Sequence, residues 1–474
     1  MARARAGLVA CAGLGWVLLA SACIPALPHG RARAPHTDVP PNYGGPAETT
    51  NSAQLKWSEF FTDPKLNALI DAALKNNQEL HIVSLEVDIA NSEIIARRGE
   101  YLPKVDFGLG VGIEKVGRYT SQGASDEAHR VPTHLPNFAF GLSASWEIDI
   151  WSKLRNATRA ATLRYLASKE GRNFAVTMLV GEIASSYYEL VALDAELDLL
   201  KQNTELQKSV LAVVKLQKEA AKATELAVTR FEAEVLKNQS RQYVVQQQIV
   251  ETEARINFLL GRFPQHVDRS ELPFADVVPP IVHTGIPSQL LDNRPDVKQA
   301  QLELAAADLD FRVAKAGFYP ALGLSANIGF QSFDISKLVA TPASLIYSIG
   351  ADLLAPLINR SALTSAYFTA NSKQMQAVYS YERAILSGYI EVVKRLAAIH
   401  NLEESYALQV QQVDKLKQSI DISSRLFTSA RADYMEVLLT RRDALEAQME
   451  LIENKKQQMT ATVGLYRTLG GGWR

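Results

Sequence analysis

The chain has 474 residues, with 50 basic side chains against 51 acidic ones. That length exceeds what one hydrophobic core usually supports, so two units or an elongated form are expected. The balanced charge, with no aromatic–basic cluster, argues against a nucleic-acid partner.

In chain order, the N-terminus carries the first specific signal. Arg3 and Arg5 precede an apolar run from Ala6 to Ala20, and Ser21-Ala22-Cys23 follows as a small-residue cleavage site. Residues 1–22 therefore read as an export signal. Cys11 lies inside the part that would be removed, which leaves Cys23 as the one cysteine of the mature chain and allows no intrachain disulfide. An ordinary secretory signal with an incidental cysteine fits this pattern. LASAC also resembles the lipobox of bacterial lipoproteins, in which the cysteine becomes the acylated N-terminus; Ala20 stands where leucine is preferred. Ile24 rather than aspartate after the cysteine implies, by that resemblance, sorting to the outer membrane. Residues 23–52 are rich in Pro, His, Arg and Gly and read as an acylated tether wrapping over a surface. No other run of 18 apolar residues is present, so no transmembrane helix is expected.

Residues 76–103 align without a gap on residues 293–320, placing Asn76 on Asn293, Leu85 on Leu302, Tyr101 on Phe318 and Pro103 on Pro320. Each copy has helical spacing and stops at its proline. Strands follow. Val105, Phe107, Leu109, Val111 and Ile113 alternate with Lys104, Asp106 and glycines, and Leu322, Leu324, Ala326, Ile328 and Phe330 alternate with Gly323, Ser325, Asn327 and Gly329. Second strands are expected over residues 138–151, with Phe138, Phe140, Leu142, Trp146 and Ile150 on one face, and over residues 345–353. Their length of roughly ten residues suits a tilted membrane strand.

After each strand pair comes a long proline-free segment, Leu154 to Leu260 and Leu357 to Leu469, with coiled-coil spacing such as Ile183, Tyr187, Leu190, Leu193, Leu197 and Leu200. Polar, alanine-rich breaks at KEAAKATE (218–225) and TSARADY (428–434) divide each into a helical hairpin. The fold class is thus α+β and internally duplicated, with repeats over residues 53–280 and 281–474. Four strands cannot close a barrel, whereas three chains pooling twelve strands can, with polar faces lining a lumen and apolar faces meeting lipid. A soluble sandwich with one wet face also alternates, and a lipid-anchored coiled-coil scaffold fits the helices.

Four stretches carry a family resemblance: WSEFFTDPKLNALIDAALKNNQEL at 57–80, IPSQLLDNRPDVKQAQLEL at 286–304, AKAGFYPALGLSANIGF at 314–330 and LYRTLGGGW at 465–473. With RPDV, FYP and LGGGW, the chain resembles over nearly its whole mature length the TolC-like outer-membrane factors, in their lipoprotein branch. That resemblance implies a homotrimeric channel, a barrel in the outer membrane continued by a helical tunnel. It would pass small molecules from an inner-membrane transporter of the RND type through a periplasmic adaptor, lipid-anchored at Cys23 and with no other cofactor. The exit channel of a protein-secretion system is the other role known in the family. Hairpin tips meet the adaptor; here Ala221 and Ala430 stand where glycine is usual, followed by Glu225-Leu226 and Tyr434-Met435. A periplasmic gate falls near Asp421, Ile422 and Arg425, with Asp421 and Arg425 one helical turn apart.

No catalytic constellation emerges. GLGVGI at 108–113 lies within an alternating strand rather than between strand and helix, so it fails the context of a nucleotide site. The eight histidines, His29, His36, His81, His129, His134, His266, His283 and His400, show no metal-ligand spacing with a cysteine.

Overall fold

A computed structural model of the chain describes residues 24–44, 50–270, 273–429, 431 and 433–474. The signal segment, Cys23 and Ala430 lie outside the described residues. In order, the principal elements are α1 (Pro64–Asn76), α2 (Gln78–Tyr101), β1 (Lys104–Glu114), β2 (Leu135–Ile148), α3 (Lys153–Glu219) and α4 (Glu225–Leu259). Then come α5 (Pro295–Ala316), β3 (Ala321–Ser332), β4 (Leu345–Leu354), α6 (Ser361–Thr428) and α7 (Tyr434–Thr468). The halves match in length as well as order: α3 and α6 have 67 and 68 residues, and α4 and α7 have 35 each.

Two compact units are present, and each draws on both halves of the sequence. The first takes the described residues through Pro35 with Asp88–Ala167 and Gln301–Ser380. It holds one antiparallel sheet in the order β1-β2-β3-β4. Strand β2 stops at Ile148, three residues before the sequence pattern ends. The reason is local: Asp149 turns to cap α3, its carboxylate accepting from the amides of Leu154 (3.1 Å) and Arg155 (2.9 Å). Trp151 leaves the strand too, its indole donating to the Pro320 carbonyl at 2.8 Å and stacking on Tyr319. Phe311, Phe318, Tyr367 and Ala370 form an aromatic cluster on which Ile24 and Leu27 pack. The supposed tether is therefore fastened, with Asn371 donating to the Gly30 carbonyl at 2.9 Å and Arg33 over the Tyr379 ring.

The second unit comprises His36–Val87, Ser168–Ala300 and Tyr381–Arg474. Its core gathers Phe60, Phe61, Leu66 and Ile70 with Ile183, Tyr187, Leu190 and Tyr466. All six coiled-coil positions from Ile183 to Leu200 are buried, as their spacing requires. An 18-residue window of α3 is apolar enough by composition to cross a membrane, but it is mostly buried in helix packing. Polar layers pin the register of the hairpins: Asn238 donates to Gln207 at 2.8 Å and Asn454 to Gln409 at 2.9 Å. The tether residues of this unit are held as well, His36 N–H donating to Glu382 at 2.7 Å and Tyr43 stacking on Tyr389.

RPDV and LGGGW meet here. The buried Arg294 guanidinium makes a forked pair with Asp296 (3.0 and 2.7 Å), binds Glu391 at 3.0 Å and donates to the Thr468 carbonyl at 2.8 Å. Gly470, at φ +95, passes so close to Asn293 that a Cβ would lie 2.5 Å from its carbonyl oxygen.

Within the sheet, Gly141 and Gly329 face each other across β2 and β3. A Cβ on Gly329 would lie 2.3 Å from the Phe140 carbonyl oxygen, whereas one on Gly110 would meet only Ala139 O at 3.9 Å. Gly329→Ala should lower stability by about 1–3 kcal/mol, read as the thermal midpoint of detergent-solubilised protein, while Gly110→Ala leaves it unchanged. Equal midpoints for the two variants would contradict this register.

Candidate functional site

Two regions hold the chemistry, and each belongs to one unit. In the first unit, cross-strand register extends the alternation of single strands into a two-faced surface. One row runs Val105–Ala144–Ala326–Ile349, the next Phe107–Leu142–Ile328–Tyr347, and the next Leu109–Phe140–Phe330–Leu345. Phe140 and Phe330 stack at 5.3 Å between ring centroids. The opposite face is built from rows such as Asp106–Ser143–Asn327–Ser348 and Lys104–Ser145–Ser325–Gly350. Leu109 and Val111 are each 73 % exposed, and Ile349 87 % exposed. A contiguous apolar surface of this kind is one that soluble monomers rarely leave bare.

The outer edges of β1 and β4 have no strand partner among the described residues. Both are long, 11 and 10 residues. They lack the short length and the bulges by which soluble sheets blunt an edge. Because the three pairings are all antiparallel, β1 and β4 run in opposite directions. A further copy adding its β4 to β1 would thus continue the same pattern.

In the second unit, the two hairpin tips come together. Helix α3 ends in a Schellman turn: Lys222 N–H donates to Gln217 O at 2.8 Å and Ala221 N–H to Lys218 O at 2.9 Å. Ala221 takes the left-handed conformation, φ +58, that a glycine would adopt without cost. Thr224 then caps α4, its hydroxyl accepting from Ala227 N–H at 3.2 Å. Glu225 is ion-paired with Lys218, and Leu226 is exposed. At the second tip, Arg431 N–H reaches back to Leu426 O at 2.9 Å, the same long bond as at the first; Ala430 itself lies outside the described residues.

Tyr434 and Leu438 pack on a cluster of Val214, Ala227, Val228 and Phe231. The Met435 sulfur lies 3.2 Å from an Arg230 guanidinium nitrogen. Tyr434 and Met435 are thus joined to the first tip, on which Leu226 is exposed. Arg230 and Phe231 were not legible as partners, since helical spacing identifies a buried face but not what it faces.

Asp421, Ile422 and Arg425 are all exposed on α6. Asp421 and Arg425 form no ion pair among the described residues. The Asp421 carboxylate acts instead on Arg441 of α7, whose guanidinium is pushed below its ordinary pKa by burial and pulled back by that carboxylate. Arg441 is the member of this neighbourhood that sequence spacing missed, because it lies on the returning helix.

Among the described residues no group of three or more metal-ligating side chains occurs. The chain matches the family described as outer membrane efflux protein over residues 69–262 and 286–471. It is similar to the pyoverdine export outer membrane protein OpmQ of Pseudomonas putida, 29 % identical over 446 residues that cover 93 % of this chain and 94 % of that one. It is also similar to a probable outer membrane lipoprotein, SilC of Salmonella typhimurium, at 24 % identity and 88 % coverage of each. Among solved structures, the open-state MtrE outer membrane channel of Neisseria gonorrhoeae superposes with TM-score 0.83 at 20 % identity, covering 95 % of this chain and 99 % of that one.

The left-handed Ala221 yields a local test. Ala221→Val places a β-branched side chain at positive φ and should weaken the turn by about 1–2 kcal/mol. The Lys222 amide should then exchange with solvent roughly 5–30 times faster. Unaltered exchange would show that the turn does not hold the tip.

Proposed function

The chain belongs to the outer membrane efflux protein family, and from that premise we propose that it works as a passive trimeric conduit. It is an outer-membrane efflux channel with the fold of the TolC-like factors. The observation that carries the trimeric reading is the sheet with two unpaired edges, one bare apolar face and one ionisable face. Backbone groups in hydrocarbon must all be paired, so such a sheet is stable in a bilayer only as part of a closed cylinder. Three copies of a four-stranded sheet give twelve strands, joined head to tail from β4 to β1 around a threefold axis. The shared element order and matching helix lengths support an origin by duplication, with repeats over 53–280 and 281–474.

In this reading no chemical transformation is needed; energy and selection come from an inner-membrane RND transporter and its adaptor. The tip residues Ala221, Glu225, Leu226, Ala430, Tyr434 and Met435 receive the adaptor. Asp421, Ile422 and Arg425 narrow the periplasmic end, where the Asp421 carboxylate also acts electrostatically on Arg441 of α7. Cys23 carries diacylglyceryl and acyl groups after removal of residues 1–22, and residues 23–52 link it to the body. The cargo class follows the relatives only broadly, as small molecules.

Purified protein in a planar bilayer should give stepwise ion conductance, larger in Asp421→Ala. Intact oligomers in a silent bilayer would instead favour a scaffold, and unaltered conductance in the variant would remove Asp421 from the gate. Cys23→Ser should abolish incorporation of labelled palmitate in vivo; persistent label would refute the lipid anchor.

A further inference from the structure

The two halves of the sheet correspond strand for strand. Continued past Pro103 and Pro320, the gapless alignment sets Val105 on Leu322, Phe107 on Leu324, Val111 on Ile328 and Gly112 on Gly329. The observed registers extend the correspondence to the second strands. Gly108 pairs with Gly141, and Ser325, which stands in the place of Gly108, pairs with Gly350. FAFGLSA at 138–144 therefore lies over YSIGADL at 347–353, with Phe138 on Tyr347 and Gly141 on Gly350.

Where the halves meet, β2 lies against β3 and Gly141 faces Gly329. The backbones approach so closely there that a Cβ on Gly141 would lie 2.5 Å from the Ile328 carbonyl oxygen, and one on Gly329 2.3 Å from that of Phe140. Their counterparts, Gly350 and Gly112, have no such reason to be glycine within the chain. A Cβ on Gly350 would meet only the Ser325 hydroxyl oxygen, at 3.3 Å, and one on Gly112 nothing within 4 Å among the described residues. Neither takes a positive φ, so backbone conformation does not demand glycine either. Both sit on the edge strands, β1 and β4, where the sheet is open. The other glycines of β1 are replaced in the second half, Gly108 by Ser325 and Gly110 by Asn327, whereas Gly112 is glycine in both.

We infer that the seam between copies repeats the seam between halves: β4 of one copy lies antiparallel on β1 of the next, with Gly350 opposite Gly112. The inference rests on the trimeric conduit proposed above and adds the register at which it closes. This register sets Ala351 opposite Val111 and Leu353 opposite Leu109, so the apolar face runs unbroken from copy to copy. Alternation alone does not choose it. A slip of one residue sets apolar side chains beside polar ones and is excluded, but a slip of two preserves both faces. The glycines remove that ambiguity, because a slip of two sets Gly350 against Glu114, or against Gly110, whose counterpart carries the Asn327 side chain. Halves and copies then meet by equivalent contacts, and the cylinder is quasi-sixfold.

Cysteine pairs in the full-length protein, oxidised in its membrane, test the register. Val111→Cys with Ala351→Cys cannot bridge within one chain, since three strand spacings of about 4.8 Å separate β1 from β4. Between copies, directly opposed Cβ atoms lie about 5 Å apart and diagonal ones about 7–8 Å, and a disulfide needs the shorter span. Mild oxidation should therefore convert this variant to covalent dimers and trimers on denaturing gels. Ala351→Cys combined with Leu109→Cys or with Ile113→Cys should bridge far less. Gly112→Ala should lower the temperature at which the oligomer dissociates in detergent, while Gly108→Ala leaves it unchanged. Strongest bridging in either shifted pair, or equal dissociation temperatures for the two glycine variants, overturns the register and leaves the trimer standing. Absence of bridging in all three pairs overturns edge-to-edge assembly, and this inference falls with it.

Discussion

A polypeptide backbone in hydrocarbon has nowhere to place an unpaired N–H or C=O, and each costs several kcal/mol there. This chain brings four strands with two open edges and an apolar face on which Leu109, Val111 and Ile349 are largely bare. In water the apolar face is costly while the edges are hydrated; in lipid the face is covered and the edges become costly. Lipid covers the apolar face but cannot satisfy the edges; another copy satisfies the edges but leaves the apolar face exposed. Lipid and further copies together remove both costs. The glycines of the polar face serve the same geometry, since Gly141 and Gly329 leave room for backbones that a side chain would force apart.

The helical part answers a different constraint. Long coiled coils slip in register unless something forbids it, and buried amides do so here. Asn238 with Gln207 and Asn454 with Gln409 each lose a hydrogen bond if their helices shift by a turn. The tips add a second fixed point. Ala221 holds a left-handed conformation at some conformational expense because two backbone bonds and the Thr224 cap leave the chain no other path. The contact of Tyr434 and Met435 with Phe231 and Arg230 then makes the tips a single surface.

Much of the fold was legible in the sequence because strand and helix periods are strong local signals. The four strands, the two long hairpins and the breaks at 218–225 and 428–434 correspond to the elements observed. Where the reading differed, a specific side chain intervened. Asp149 abandoned the strand to cap a helix. The tether, judged by composition, gave no hint of Ile24 and Leu27 seated on an aromatic cluster or of Tyr43 on Tyr389. Partners across helices, such as Arg441 for Asp421, were invisible because period assigns a face and not a neighbour.

The clasp around Arg294 has a consequence for biosynthesis. Its guanidinium draws one acceptor from Thr468, 174 positions downstream, and Gly470 closes over Asn293 only when the final turn of α7 is in place. A nascent chain that has not yet emerged past that turn holds a buried cation short of an acceptor, which is unfavourable enough to keep the site open. The last turn of the chain is thus part of the same packed site as a residue near the start of the second repeat, and it supplies an acceptor that no earlier segment provides.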